Sequence, residues 1–473
     1  MFQQAIGTWW RADDPDVRLP GYLQVDGSQP FAWRLTVLGR LAEPEPGWDS
    51  STTVFGQTER GRYTLLAAHP GDLRTSSWSG GTTEGVDWHA PVLLAKDHVT
   101  PDARFKQANF TYPHLIDWFM ARHNGYVRSG PLPEDKSWEQ FHQVQLGSGA
   151  TLTVALVRQR QWAWATTSHT WSAQYTLFSR DGFTFAELGG IQWGLGRLQA
   201  IMLGTDVEAS QTTLASDLEA GSVNVVEAHP PAGHDWSGIS PLFNAEEMEM
   251  GPFLQRWLEL STSAPMIAAA AAPRAGARVM QGELQDLCNA VEWLYARIEG
   301  SEAGDLAPTD QAILDAMTGS GFTSRHRSRV KHLMAQTGKE TLEHKLARLA
   351  GMLGEESAAW LLGSPNNWAY TVMRLRNSLT HGLLVPGHDD VRLLGDAVLT
   401  LKVVLQLALL NHCGYTNALC PVPGEMLRAR GQLVRGTRDA LIVNHVEDLA
   451  SRSGQWSERA RSLRGAGGGH AGS

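Results

Sequence analysis

A chain of 473 residues is too long for one core, so two or three domains are expected. Its 42% hydrophobic and 19% charged residues exclude a disordered polymer, and three cysteines with no Cys-x-x-Cys pair exclude a disulfide scaffold. The net charge of −9 excludes a chain coated in nucleic-acid-binding surface, but the charge is uneven: residues 1–245 carry 17 basic and 25 acidic side chains, residues 246–473 carry 23 and 24.

Met1–Gly7 lacks the basic flank and apolar core of a signal peptide. The longest apolar stretch, Ala397–Leu410, is interrupted by Lys402 and Gln406 and falls short of a bilayer span. The chain reads as cytoplasmic, with no membrane partner.

Residues 1–245 are β-rich. Gly21–Asp26, Trp33–Leu38, Tyr63–Ala67, Leu152–Val157 and Tyr175–Phe178 are short runs bounded by Gly, Pro, Asp or Ser, the pattern of a sandwich or barrel. Thirteen of the eighteen tryptophans fall here, and they read as core filling in preference to a ligand platform. Phe183–Leu203 reads as a helix closing this half.

From Glu246 the period becomes helical: Phe253, Trp257 and Leu260 share one helix face. The Ala-rich run Pro265–Arg278, with two prolines, reads as a junction, in extended form, before a helical domain that starts near Val279. Helices follow at Gly282–Ile298, Pro308–Met317, Ser324–Gln336, Thr341–Leu353, Pro365–His381 and Asp390–Cys413. The expected fold is α+β and multidomain. A β-rich, sandwich- or barrel-like half spans 1–245, a helix and junction 246–278, an all-α bundle 279–455 and a loose tail 456–473.

The helix opened by Ser364-Pro365 carries the chemistry. Trp368, Val372, Leu375 and Leu379 form its apolar stripe. At about 100° per residue Asn377 and His381 lie away from that stripe, with Arg376 at its edge and Gly382 as terminator. Cleaving RNA without a metal needs a group that moves protons near neutrality and a fixed cation for the charged phosphorane; histidine and arginine are those groups. Asn377 can orient the imidazole or bind phosphate. Five residues separate Arg376 from His381, about 140° on a straight helix, so a two-fold dimer is the simplest way to complete the centre. Arg374 shares the face of His381 and is a phosphate candidate. The basic cluster Arg325, Arg327, Arg329 and Lys331 suits an RNA backbone or, equally, a solvated helix face, and Lys345 is a weaker contact.

Arg376-Asn377-Ser-Leu-Thr-His381 resembles the R-N-x-x-x-H signature of HEPN ribonucleases. Leu287-x4-Glu292-x-Leu294 and Leu346-x-Arg348-Leu349 are similar to the helices before that motif in ApeA-type HEPN domains. Ile6–Trp10, Gly21-Tyr-Leu and Leu35–Leu41 resemble the β-rich N-terminal domain of the same anti-phage, abortive-infection family. The resemblance implies a HEPN bundle whose catalytic residues are Arg376, Asn377 and His381, with Glu292 in support, facing the site and orienting Arg376. It further implies metal-independent cleavage of host tRNA in the anticodon region, leaving 2′,3′-cyclic phosphate and 5′-hydroxyl ends, at a dimeric site.

No phosphate loop, zinc motif or nucleophile elbow competes with this centre, so no cofactor and no metal are expected, and no DNA partner. The alternative is a non-catalytic HEPN dimerisation or binding module joined to a β-rich ligand- or partner-binding domain. A phage-derived trigger or an inhibitor protein remains an open partner for the β half.

Overall fold

The computed structural model describes residues 4–25, 33–41, 51–78, 81–113, 115–120, 142–163, 166–216, 222–226, 249–273, 279–298, 315–316, 323–324, 341–380 and 388–415. They form two units, one through Thr262 and one from Ser263.

In the first unit, strands β1 (Ala5–Arg11), β2 (Asp14–Val25), β3 (Trp33–Leu38), β4 (Thr52–Thr58), β5 (Gly61–Trp78) and β6 (Gly81–Ala90) pair in the order β4-β1-β2-β3-β6-β5. A β4–β5 pairing closes the ring into a six-stranded antiparallel barrel. Closure removes free edges, and alternation then sends every second side chain inward. All six strands feed one apolar cluster, including Trp9, Leu23, Trp33, Leu35, Val54, Tyr63, Leu65 and Trp88. The interior is tight: a Cβ on Gly56 would lie 2.1 Å from the Trp9 ring, so only glycine lets β4 pass that indole. β5 bends where it leaves β4 for β6, with Ala67 at φ 51° and shifts of register on both sides.

The sheet continues from β5 through β7 (Val92–Ala95), β13 (Val223–Val226), β12 (Ser210–Ala215), β8 (Phe105–Thr111), β11 (Thr166–Phe183), β10 (Thr151–Ala163) and β9 (His142–Gln145). A short helix, α1, spans Leu115–Met120. Helix α2 (Phe185–Leu203) opens on a Thr184–Glu187 capping box and stops at Gly204, φ 75°. Helix α3 (Met250–Ser263) buries Phe253, Trp257 and Leu260, and Trp257 Nε1 donates to the Gly194 carbonyl at 2.7 Å. Of the tryptophans read as core fill, Trp9, Trp10, Trp33, Trp88 and Trp118 are buried, whereas Trp193 on α2 is 37% exposed.

The second unit is helical: α4 (Pro265–Ala271), α5 (Met280–Ile298), α6 (Leu342–Gly351), α7 (Glu355–Leu362), α8 (Pro365–Thr380) and α9 (His388–His412). The first half of the Ala-rich run, Pro265–Ala271, is thus helical and not extended, while residues 274–278 lie outside the described residues. Pro265 takes the first helical turn, where its missing N–H costs nothing; Ile267, Ala268, Ala270 and Ala271 are buried, and the alanines let α4 pack closely against α5. α7, in a stretch between Leu353 and Pro365 where the sequence pattern placed no helix, lies between Gly354 and Gly363, both at positive φ. The helices expected at 308–317 and 324–336 and the tail 456–473 lie almost wholly outside the described residues.

α5 is the hub, packing against α4, α6, α8 and α9 through Leu284, Leu287, Val291 and Leu294. α9 is longer than its apolar stretch suggests. Leu394–His412 is long and apolar enough to cross a membrane, but 72% of it is buried inside the unit. Its polar residues have partners there: Lys402 pairs with Glu283, and Gln406 Nε2 donates to the Ala271 carbonyl at 2.7 Å.

Candidate active site

The site is built on α8 and the facing side of α5. Ser364 Oγ accepts from Asn367 N at 3.4 Å and starts α8, while Trp368, Val372 and Leu375 are fully buried. Leu379, the next residue of that stripe, is only half-buried, since the packing loosens toward the helix end. Trp368 Nε1 donates to Thr400 Oγ1 at 3.0 Å, which fixes the start of α8 against α9. The polar residues late in the helix are thereby presented at a set azimuth.

Arg376 is half-buried. One terminal nitrogen, Nη1, donates to Asn377 Oδ1 at 3.3 Å, and Nη2 lies 3.9 Å from Glu292 Oε1 on α5. Its Nε is buried with no hydrogen-bond partner among the described residues. The separation to Glu292 is beyond hydrogen-bond reach, and with the side chains 25% and 39% exposed the pair contributes about 1 kcal/mol or less. Glu292 therefore aims the guanidinium more than it stabilises the fold. Of the five guanidinium N–H donors the buried Nε is closed to an anion, and the terminal nitrogens keep donors that these contacts do not fill.

Asn377 also donates from Nδ2 to Met373 Sδ at 3.0 Å, a weak acceptor that a phosphate oxygen would outcompete. Arg374 is exposed one turn earlier, with Nε donating to Tyr370 Oη at 2.9 Å and its head over that ring. Lys345 is half-buried on α6, and its neighbour Arg348 lies over the Tyr295 ring at 5.1 Å. The structure thus brings Arg376, Asn377 and Glu292 together and leaves Arg374 on a separate exposed perch. His381, Arg325, Arg327, Arg329 and Lys331 lie outside the described residues.

Beneath the pair sits Cys288, fully buried on α5. Burial pushes its thiol up to about 12, with the Arg376 charge pulling it down and the Glu292 charge pushing it further up. It is a neutral packing residue at ordinary pH. A further polar residue of α5, Gln285, also reaches α8, and Asn289 bonds it within α5; their spacing from Glu292 was the signal that could have found them. Among the described residues, no group of three or more His, Cys, Asp or Glu side chains is arranged to hold a metal ion.

A barrel-bearing β unit followed by a helical bundle, with an Arg–Asn pair late in one helix facing an acid on another, defines a HEPN-type chain. Residues 4–159 match the family model for ApeA N-terminal domain 1, and residues 286–419 match that for Apea-like HEPN. The chain belongs to the ApeA-like HEPN proteins, a HEPN-type anti-phage nuclease family. No curated protein and no solved structure matches it.

Proposed function

We propose that the protein is a metal-independent endoribonuclease that cleaves host tRNA in the anticodon region during abortive infection. One observation carries the reading: the Arg376 guanidinium is aimed by Glu292 and Asn377 yet keeps unfilled donors on its terminal nitrogens, with the side chain 25% exposed. In the reaction, His381 takes the proton of a ribose 2′-hydroxyl and the 2′-oxygen bonds to phosphorus. The bond to the 5′-oxygen breaks, and a proton reaches that leaving oxygen. Arg376 binds the non-bridging oxygens most tightly when the phosphorane carries its extra charge. Asn377 orients the imidazole or holds a second phosphate oxygen. The products are a 2′,3′-cyclic phosphate and a 5′-hydroxyl.

Residues Arg374, Lys345 and the cluster Arg325, Arg327, Arg329 and Lys331 contact the RNA backbone without reading its sequence. The five-residue spacing of Arg376 and His381 makes the working unit a homodimer with a shared groove. It acts in the cytoplasm on RNA, with no membrane or DNA partner, and the β unit receives a phage-derived trigger or inhibitor.

The test is cleavage of end-labelled tRNA in excess chelator by wild type, Arg376→Ala and His381→Ala. Loss in both variants with folding retained is expected, along with cyclic-phosphate ends. Full activity in His381→Ala, or a requirement for a divalent ion, would overturn the reading. Mixing the two inactive variants gives partial recovery if two chains share one groove.

A further inference from the structure

Gln285, Asn289 and Glu292 recur at i, i+4 and i+7 of α5, which places them on one face. Two members of this stripe reach α8. Glu292 meets Arg376, and Gln285 Oε1 accepts from Thr380 Oγ1 at 3.3 Å. Gln285 Nε2 meanwhile donates to Asn289 Oδ1 at 3.0 Å. With its amide nitrogen committed to Asn289, Gln285 turns its oxygen toward Thr380. The Thr380 hydroxyl also lies 2.9 Å from the Arg376 carbonyl, so one proton is shared between an α5 side chain and the backbone of the arginine.

We infer that Gln285, oriented by Asn289, is a positioning residue for the RNA-cleaving centre. By latching Thr380 it holds the last turn of α8, the turn that follows Arg376 and leads directly into His381 in the sequence. The inference rests on the nuclease reading above.

The physical need is plain. The last turn of a helix lacks donors for its carbonyls and frays. The buried stripe Trp368, Val372 and Leu375 sets the azimuth of α8, but Glu292, 3.9 Å from Arg376, does not reach the turn beyond it. A second attachment one turn further along restrains that fraying. The latch lies at an exposed position, so it adds little to global stability, yet a misplacement of about 1 Å at a reacting group can cost about 100-fold in rate.

The experiment uses the full chain with end-labelled total tRNA, measuring kcat and KM beside thermal melting. Thr380→Val keeps the shape and removes the hydroxyl; Gln285→Leu removes the acceptor; Thr380→Ser restores the hydroxyl. Each of the first two is expected to lower kcat about 10- to 100-fold, with KM within about twofold and melting nearly unchanged. The double variant is expected to be no worse than the weaker single one, and Thr380→Ser to recover most of the rate. Wild-type kcat in Thr380→Val, while Arg376→Ala is inactive, overturns the latch and leaves the nuclease reading standing. Loss that tracks a fall in melting temperature and is not rescued by Thr380→Ser also overturns it. Undiminished cleavage by Arg376→Ala overturns both.

Discussion

The barrel and the α5–α8 face use polar and aromatic groups in opposite ways. In the barrel, six strands close on themselves and the large side chains seal the interior, to the point that Trp9 and Trp88 leave their indole N–H groups without hydrogen-bond partners among the described residues. On the α5–α8 face, Arg376, Asn377, Glu292 and Gln285 are half-buried and Thr380 is exposed, with long contacts between them. The barrel gives up hydrogen bonds for packing, and the helix pair gives up packing for accessible charge. Stability and chemistry are therefore housed in different units, and substitutions in the two should fail differently.

The widest separation is expected from Arg376→Ala. It should lower RNA cleavage by about 10³-fold or more, as loss of a donor that acts on transition-state charge does, with urea unfolding almost unchanged. An equal loss of stability would erase the contrast. Trp9→Ala should do the reverse in the barrel, costing about 3–5 kcal/mol of unfolding free energy because the site is packed too tightly to refill. Its denaturation midpoint is the measurement.

Cys288 lies where the two behaviours meet, since it is sealed like the barrel core but sits beside the charged pair. An unfolded chain ionises this thiol near 9.0, while the folded chain holds the proton to about 12. The folded state binds the proton more tightly, so this stability is complete below pH 9 and is lost as pH rises toward 12. Cys288→Ala should remove that one-proton slope, about 1.4 kcal/mol per pH unit, from alkaline unfolding curves. The smallest effect is expected at the α2 cap. Thr184→Ala removes the side chain that accepts from Glu187 N and should cost about 1 kcal/mol in denaturant titration, with cleavage untouched.

Much of this was legible beforehand where the signal is local. Strand β3 matches Trp33–Leu38, α2 matches the run ending at Leu203, and the stripe Trp368–Val372–Leu375 is buried as its period requires. Closure of the sheet was not legible, because the β4–β5 pairing depends on register and bend, which no short window carries. The Ala-rich run misled for a related reason. Two prolines read as a break, yet Pro265 stands where a helix tolerates it, and the demand for a helix there comes from α5.

For the site, the sequence by itself determined which residues could do chemistry: an arginine and an asparagine late in one amphipathic helix, just before a histidine. Side-chain type and helical period are properties of a single segment, so they can be read along it. Only the tertiary structure decided that Glu292 aims Arg376, that Cys288 lies beneath the pair, and that Gln285 reaches Thr380 from 95 positions away. Those contacts join segments far apart in the chain, and they exist because packing sets α5 and α8 side by side.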